Sequence, residues 1–295
     1  MTVGNQTETA MLYSHLKSSR ERRNKMTICV SVKVAEGLVL AADSAVTLQG
    51  SIKTPQGRGT GIIQQFNYAN KVTRFKDYPI GVMSWGLASV NDRSIQSLIM
   101  EFEHSFPAME IQDSFTVLGI ANKLKEFIEQ RYNAAFPSSG QRPSLGMLVG
   151  GYSHNEFFAD EYTYEYSSSK AWQLVRPPKP DSKPSFGADW FGQTDALTRL
   201  IKGYDVAALN ELVKRGADKQ TVEKWVNDAV GELPLVFDGM PLQDAIDFAN
   251  YSVQVVIGRF RFAAGPPLCG GDIDIAVVTP TVFRWAQRKM WAINE

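Results

Sequence analysis

Apolar and polar residues alternate from Ile28 to Val34. Ile28, Val30, Val32 and Val34 are separated by Cys29, Ser31 and Lys33, the period-two pattern of a half-buried strand. Glu36-Gly37 supplies a turn, and Leu38 to Ala42 forms a second, more continuously apolar strand ending at Asp43. The Gly-, Thr- and Gln-rich run from Ser44 to Gln65 predicts a strand end and a long loop. Lys71 to Phe75 alternates again, Tyr78-Pro79 turns the chain, and Ile80 to Trp85 is an apolar strand closing on Gly86. Ile95, Leu98, Ile99 and Phe102 fall at i, i+3, i+4 and i+7, the stripe of an amphipathic helix. Asp113 or Ser114 is placed to cap a second helix with Leu118, Ala121, Leu124 and Ile128 on one face.

Further along, Leu145–Tyr152 and Phe157–Tyr166 predict a strand pair, followed by Ala171–Val175. The Pro- and Lys-rich stretch Arg176–Pro184 is a surface connection. Phe186–Ile201 predicts a short helix opened by Gly187, and Tyr204–Gly231 two helical pieces split at Arg215-Gly216. Gln243–Phe262 is a long helix after Pro241, and Ile273–Val278 with Val282–Trp285 closes the chain as strands. The order is strands, two helices, strands, helices, strands. It predicts an α+β class, a four-layer αββα sandwich of two antiparallel sheets between helix layers.

Composition narrows the function classes. The chain has 295 residues, 44% of them hydrophobic, enough for a substantial core. Lys and Arg number 31 against 31 Asp and Glu, so no global field points to nucleic acid. Two cysteines, Cys29 and Cys269, are too few for a secreted disulfide framework. No apolar run approaches the roughly 18 residues that cross a bilayer. A cytoplasmic protein with no membrane partner is expected. Met1–Met26 is polar and basic at Arg20, Arg22, Arg23 and Lys25, lacks the apolar core of a signal peptide, and reads as a solvated tail. His15, His104 and His154 are scattered, Asp272 and Asp274 are expected on a strand surface, and Gly57–Gly61 lacks the Lys-Ser/Thr of a phosphate loop. No metal and no cofactor are expected.

The run Thr27–Ser44, TICVSVKVAEGLVLAADS, resembles the start of proteasome β-type subunits and their bacterial relatives among the N-terminal-nucleophile (Ntn) hydrolases. The interval from Thr27 to Asp43 matches that family without a gap, and Gly37 falls at its turn glycine. Lys71 in NKVTRF matches the family's Lys-Val strand opening. The resemblance implies that Thr27 is the nucleophile and that Asp43 and Lys71 tune its amine. It also implies an oxyanion donor at the Trp85 amide beside Gly86, although the family usually has glycine where Trp85 stands. By the same register Met83 lies near the specificity pocket and hints at apolar substrate side chains. LCGGDIDIAVV (Leu268–Val278) resembles the family's Ser-Gly-Gly turn, with Cys269 for serine and Pro266 where an aspartate is usual. SFGADW (Ser185–Trp190) resembles its Gly-Ser-Gly turn, with Ala188 for serine. These are the accessory positions that steady the amine and a nearby water.

A threonine hydroxyl needs a base near pH 7. A terminal threonine carries one, since an α-amine has a reference pKa of about 7.7–8.0. The resemblance therefore implies that Thr27 must begin the working protein. Residues 1–26 are then a removable propeptide or the result of a start codon placed too early, and 27–295 is a single domain with a helical insertion near 204–231. The implied activity is threonine-type peptide-bond hydrolysis in a homo-oligomeric ring, on peptide or protein substrates. Nothing in the chain indicates an ATP-driven unfoldase partner. Two other readings stay open: a catalytically silent ring subunit, and a small-amide amidohydrolase of the same fold.

Overall fold

Two hairpin strands, β1 (Ile28–Val34) and β2 (Gly37–Ala42), lead a computed structural model that describes residues 27–54, 57–76, 78–105, 114–137, 140, 142–167, 172–179, 183–229, 235–265 and 267–290. There follow β3 (Val46–Thr54), β4 (Gly57–Phe66), β5 (Val72–Arg74), β6 (Ile80–Gly86), β7 (Ser89–Val90) and β8 (Arg93–Ser94). Helices α1 (Ile95–Ser105) and α2 (Val117–Ala135) precede β9 (Leu145–Gly151), β10 (Asp160–Glu165), β11 (Gln173–Leu174) and β12 (Gly187–Gly192). Then come α3 (Asp195–Lys202), α4 (Val206–Lys214), α5 (Lys219–Ala229), α6 (Leu242–Phe262), β13 (Asp274–Val278) and β14 (Phe283–Gln287).

The main strands form two antiparallel sheets. One runs β12-β1-β2-β13-β14 and the other β11-β10-β9-β6-β5. The outer face of the first packs on α6, where Ile28, Val30, Val32 and Val39 meet Ala245, Ala249, Val253 and Val256. The outer face of the second packs on α2, with α1 against α2, through Val82, Met147, Val149, Leu124 and Ile128. The inner faces meet through Cys29, Leu38, Leu40, Met83, Trp85 and Leu148. Among the described residues no helix is long and apolar enough to cross a membrane.

The alternation in β1 has a different meaning from the one its sequence predicts. All seven residues are buried, so the odd and even positions face two buried layers rather than core and solvent. The polar members of the inner layer are then matched with partners. Buried Arg176 donates to Ser31 Oγ at 3.3 Å, to both oxygens of Glu161 at 3.0 and 2.7 Å, and to Asp189. This network joins β1, β10 and β12. Burial holds the Lys33 ammonium below its ordinary pKa, against the pull of Glu161.

Five further expectations are corrected. Ser44–Gln65 is largely a β-hairpin: β3 and β4 pair from Val46↔Phe66 to Thr54↔Gly57 and join neither main sheet. Its residues carry no strict apolar alternation, which is why the sequence reads as loop, and its strand form comes from the pairing of its two arms. Gly187 opens β12 rather than a helix, because the segment pairs with β1, and α3 starts only at Asp195. The cap of α2 is Thr116, whose Oγ1 accepts the Gly119 N–H at 3.0 Å; Ser114 lies outside the helix and Asp113 outside the described residues. The buried stripe of that helix is Val117, Ile120, Ala121, Leu124 and Ile128, with Leu118 exposed. Asp274 is buried, and both the backbone N–H and the ammonium of Lys289 donate to it. The helical pieces within Tyr204–Gly231 do form, as α4 and α5, around Leu209, Val222 and Val226.

Candidate active site

Thr27 directly precedes β1, and the end of β12 clamps it. Its carbonyl accepts the Gln193 N–H at 2.7 Å. Gly192 sits at φ 87 with its Cα against that same carbonyl, where any Cβ would collide. The Thr27 side of the clamp is buried, at 3% exposure for the residue.

Asp43 follows β2, and the pairing of Cys29 with Ala42 brings it alongside Ile28. Its Oδ1 accepts the Ile28 N–H at 3.0 Å and the Lys71 ammonium at 2.7 Å. Its Oδ2 accepts Gly270 N at 3.0 Å and Ala45 N at 3.3 Å. The Asp43 side chain has no exposed surface and that of Lys71 only 5%. A buried pair is tolerable only when the remaining lone pairs are also met, and here three backbone donors meet them beside Lys71.

The turn Cys269-Gly270-Gly271 closes the other side of Asp43. Ser44 N and Ala45 N donate to Gly270 O at 3.0 and 2.8 Å. Gly271, at φ 73, approaches Asn67 O too closely for a side chain. The thiol of Cys269 is pushed above its ordinary pKa chiefly by burial, with the Asp43 charge adding to the effect. Burial likewise raises the Cys29 thiol, against the pull of Lys71, and its Sγ donates to Ser84 O at 3.5 Å. Neither thiol is prepared to act as a thiolate nucleophile.

The strand that faces this cluster is β6, and its hydrogen-bond parity matters. In an antiparallel ladder, successive residues turn their backbone groups to opposite neighbours. Ser84 N donates to Lys71 O at 3.1 Å and Phe75 N to Ile80 O at 3.0 Å, so the even positions face β5. Tyr152 N donates to Pro79 O at 2.9 Å, so the odd positions face β9. The Trp85 N–H is thus turned toward Gly146, its partner on β9, and the Gly86 N–H toward the opposite, open side. A cavity of about 530 Å³ lies there, lined by Thr27, Thr47, Lys71, Ser84, Trp85 and Gly86 among others.

Thr27, Asp43, Lys71, Gly86 and the Cys269 turn are therefore gathered in one place. Ala188 is not among them: it pairs with Val32, well along β1 from Thr27, and the turn beside Thr27 is Gly192-Gln193-Thr194. The sequence signal for it is Gly192 just ahead of α3, hidden within a segment that reads as helix. Pro266 lies outside the described residues. Met83 is sealed between the sheets with no exposure and does not line the cavity. Its packing against Val72, Leu148 and the first sheet keeps it out of the lining of this cavity.

No family model matches the chain, and no curated protein does. Among solved structures, Anbu (ancestral beta-subunit) from Yersinia bercovieri is similar over 90% of this chain and 88% of its own, at 14% identity and a TM-score of 0.49.

Proposed function

We propose that this chain, with Thr27 as its first residue, is a threonine hydrolase of the N-terminal-nucleophile kind that cleaves peptide or other amide bonds, its paired sheets forming the centre of an αββα sandwich. One observation carries the reading. A single buried oxygen of Asp43 takes both the Lys71 ammonium and the Ile28 N–H, tying a cation to the backbone next to Thr27 at the edge of a cavity.

In this reading Thr27 Oγ bonds to the substrate carbonyl carbon while its proton passes to the Thr27 α-amine. A nearby ammonium favours the neutral form of that amine, and Lys71 supplies it. The carbonyl oxygen becomes an oxyanion, and a fixed backbone donor stabilises it. By ladder parity we give that role to Gly86 rather than Trp85. The carbon–nitrogen bond then breaks and the leaving amine takes the proton. Water attacks the resulting ester, loses a proton to the Thr27 amine, and the acid departs as Oγ regains a proton.

The test is the intact mass and N-terminal sequence of the protein isolated from cells, followed by hydrolysis of fluorogenic peptide amides. A chain beginning at Thr27 is expected, with Thr27→Ala abolishing turnover. A chain that retains residue 26 has an amide in place of the amine. With no turnover, that result replaces the hydrolase with a silent subunit of the same fold.

A further inference from the structure

We infer that Trp85 is a positioning residue whose indole braces the strand bearing the Gly86 amide against the strand end that holds Thr27. The inference rests on the hydrolase reading above. The Trp85 side chain projects into the layer between the sheets and is 3% exposed. It lies over Gly146, its cross-strand partner on β9, where any Cβ would overlap the indole ring. The Nε1 reaches one strand further and donates to Glu165 Oε1 at 3.0 Å. Glu165 is itself the β10 partner of Gly146. The missing side chain at Gly146 is thus the slot that lets an indole on β6 span to β10.

The same indole stacks on Phe191, with centroids 4.6 Å apart and planes inclined by 17°. Phe191 belongs to the other sheet and immediately precedes Gly192 and Gln193, the two residues that touch the Thr27 carbonyl. At the same level Cys29, the β1 partner of Phe191, donates to Ser84 O, one residue before Trp85. The nucleophile is held by one sheet and the oxyanion donor by the other. Apolar packing between sheets is non-directional and by itself leaves their relative slide weakly fixed. A rigid aromatic plate, tethered at Glu165 and stacked on Phe191, sets that slide. A displacement of about 1 Å between reacting groups costs about a hundredfold in rate.

The test uses the chain beginning at Thr27 and its Trp85→Phe, Gly146→Ala, Glu165→Ala and Glu165→Gln variants. Each is measured for kcat and KM on a peptide amide and for affinity to a peptide boronate, whose boron takes Thr27 Oγ and becomes a tetrahedral anion. Trp85→Phe, Gly146→Ala and Glu165→Ala should lower kcat by about tenfold to a hundredfold. KM should stay unchanged, and boronate affinity should fall in proportion to kcat. Glu165→Gln should restore both, because its amide oxygen still accepts the indole N–H. Glu165 is only partly buried, so its variants decide the matter even if a core substitution fails to fold. Folded variants with wild-type kcat and boronate affinity, or losses confined to KM, overturn the brace while leaving the hydrolase standing. A wild-type protein with terminal Thr27 that neither hydrolyses amides nor binds the boronate overturns both.

Discussion

Asp43 answers four donors with two oxygens, and it does so out of contact with water. Removing its charge strands the Lys71 ammonium in the interior. Asp43→Asn is therefore expected to destabilise the fold by about 3–5 kcal/mol, the usual cost of breaking a buried pair. Adding Lys71→Met should recover part of that loss, since the charge that lost its partner is then gone too. Denaturant midpoints of the two variants and the parent measure this. The pair was legible as a candidate only through the resemblance, Asp43 by its interval from Thr27 and Lys71 by the Lys-Val opening of its strand. What the spacing could not give is the sharing of one oxygen between Lys71 and Ile28, which depends on the β1–β2 register and on the turn at Gly270.

At the scale of elements, the decisive piece is the end of β12. Gly192 combines φ 87 with a Cα pressed on the Thr27 carbonyl, so both backbone and space demand glycine. Gly192→Ala is expected to cost about 1–3 kcal/mol from the backbone conformation alone. The Thr27 carbonyl must also move, so hydrolysis should fall further than stability does. Urea unfolding read beside turnover separates the two effects. Helices were the readable elements here. The stripe through Ile95, Leu98, Ile99 and Phe102 emerged in α1, and α6 begins just after Pro241. Most strands were readable as well, Ile80–Trp85 and Ile273–Val278 among them although their partners lie far along the chain, but β12 was not. β12 read as helix because Phe186–Ile201 has no alternation of its own, and its strand form comes from β1.

Across the whole molecule, Arg176 links the two sheets by charge. It reaches Ser31 on β1, Glu161 on β10 and Asp189 on β12 from a loop that the sequence marks as surface. Arg176→Met leaves the buried Glu161 carboxylate facing Asp189 without its hydrogen-bonded cation, with Lys33 as the neighbouring ammonium, and should destabilise by about 3–5 kcal/mol. The loss should appear in one cooperative transition, with tryptophan fluorescence and circular dichroism coinciding. Separate transitions would mean that the sheets unfold independently and that Arg176 does not join them.

The sequence by itself determined the hairpin of β1 and β2 and the helices with strong apolar stripes, and its resemblance to a family picked out Thr27, Asp43 and Lys71 as candidates. These depend on neighbours close in the chain, on period, or on a motif with fixed spacing. Only the tertiary structure decided which layers the two faces of β1 meet, which amide of β6 is turned to the cavity, and that Gln193 rather than Ala188 stands beside Thr27. Each of those follows from strand register, and register is set by partners up to hundreds of residues away. The indole of Trp85 shows the same division. Its place beside Gly86 was plain from the chain, whereas Gly146, Glu165 and Phe191 meet it only because two sheets pack face to face.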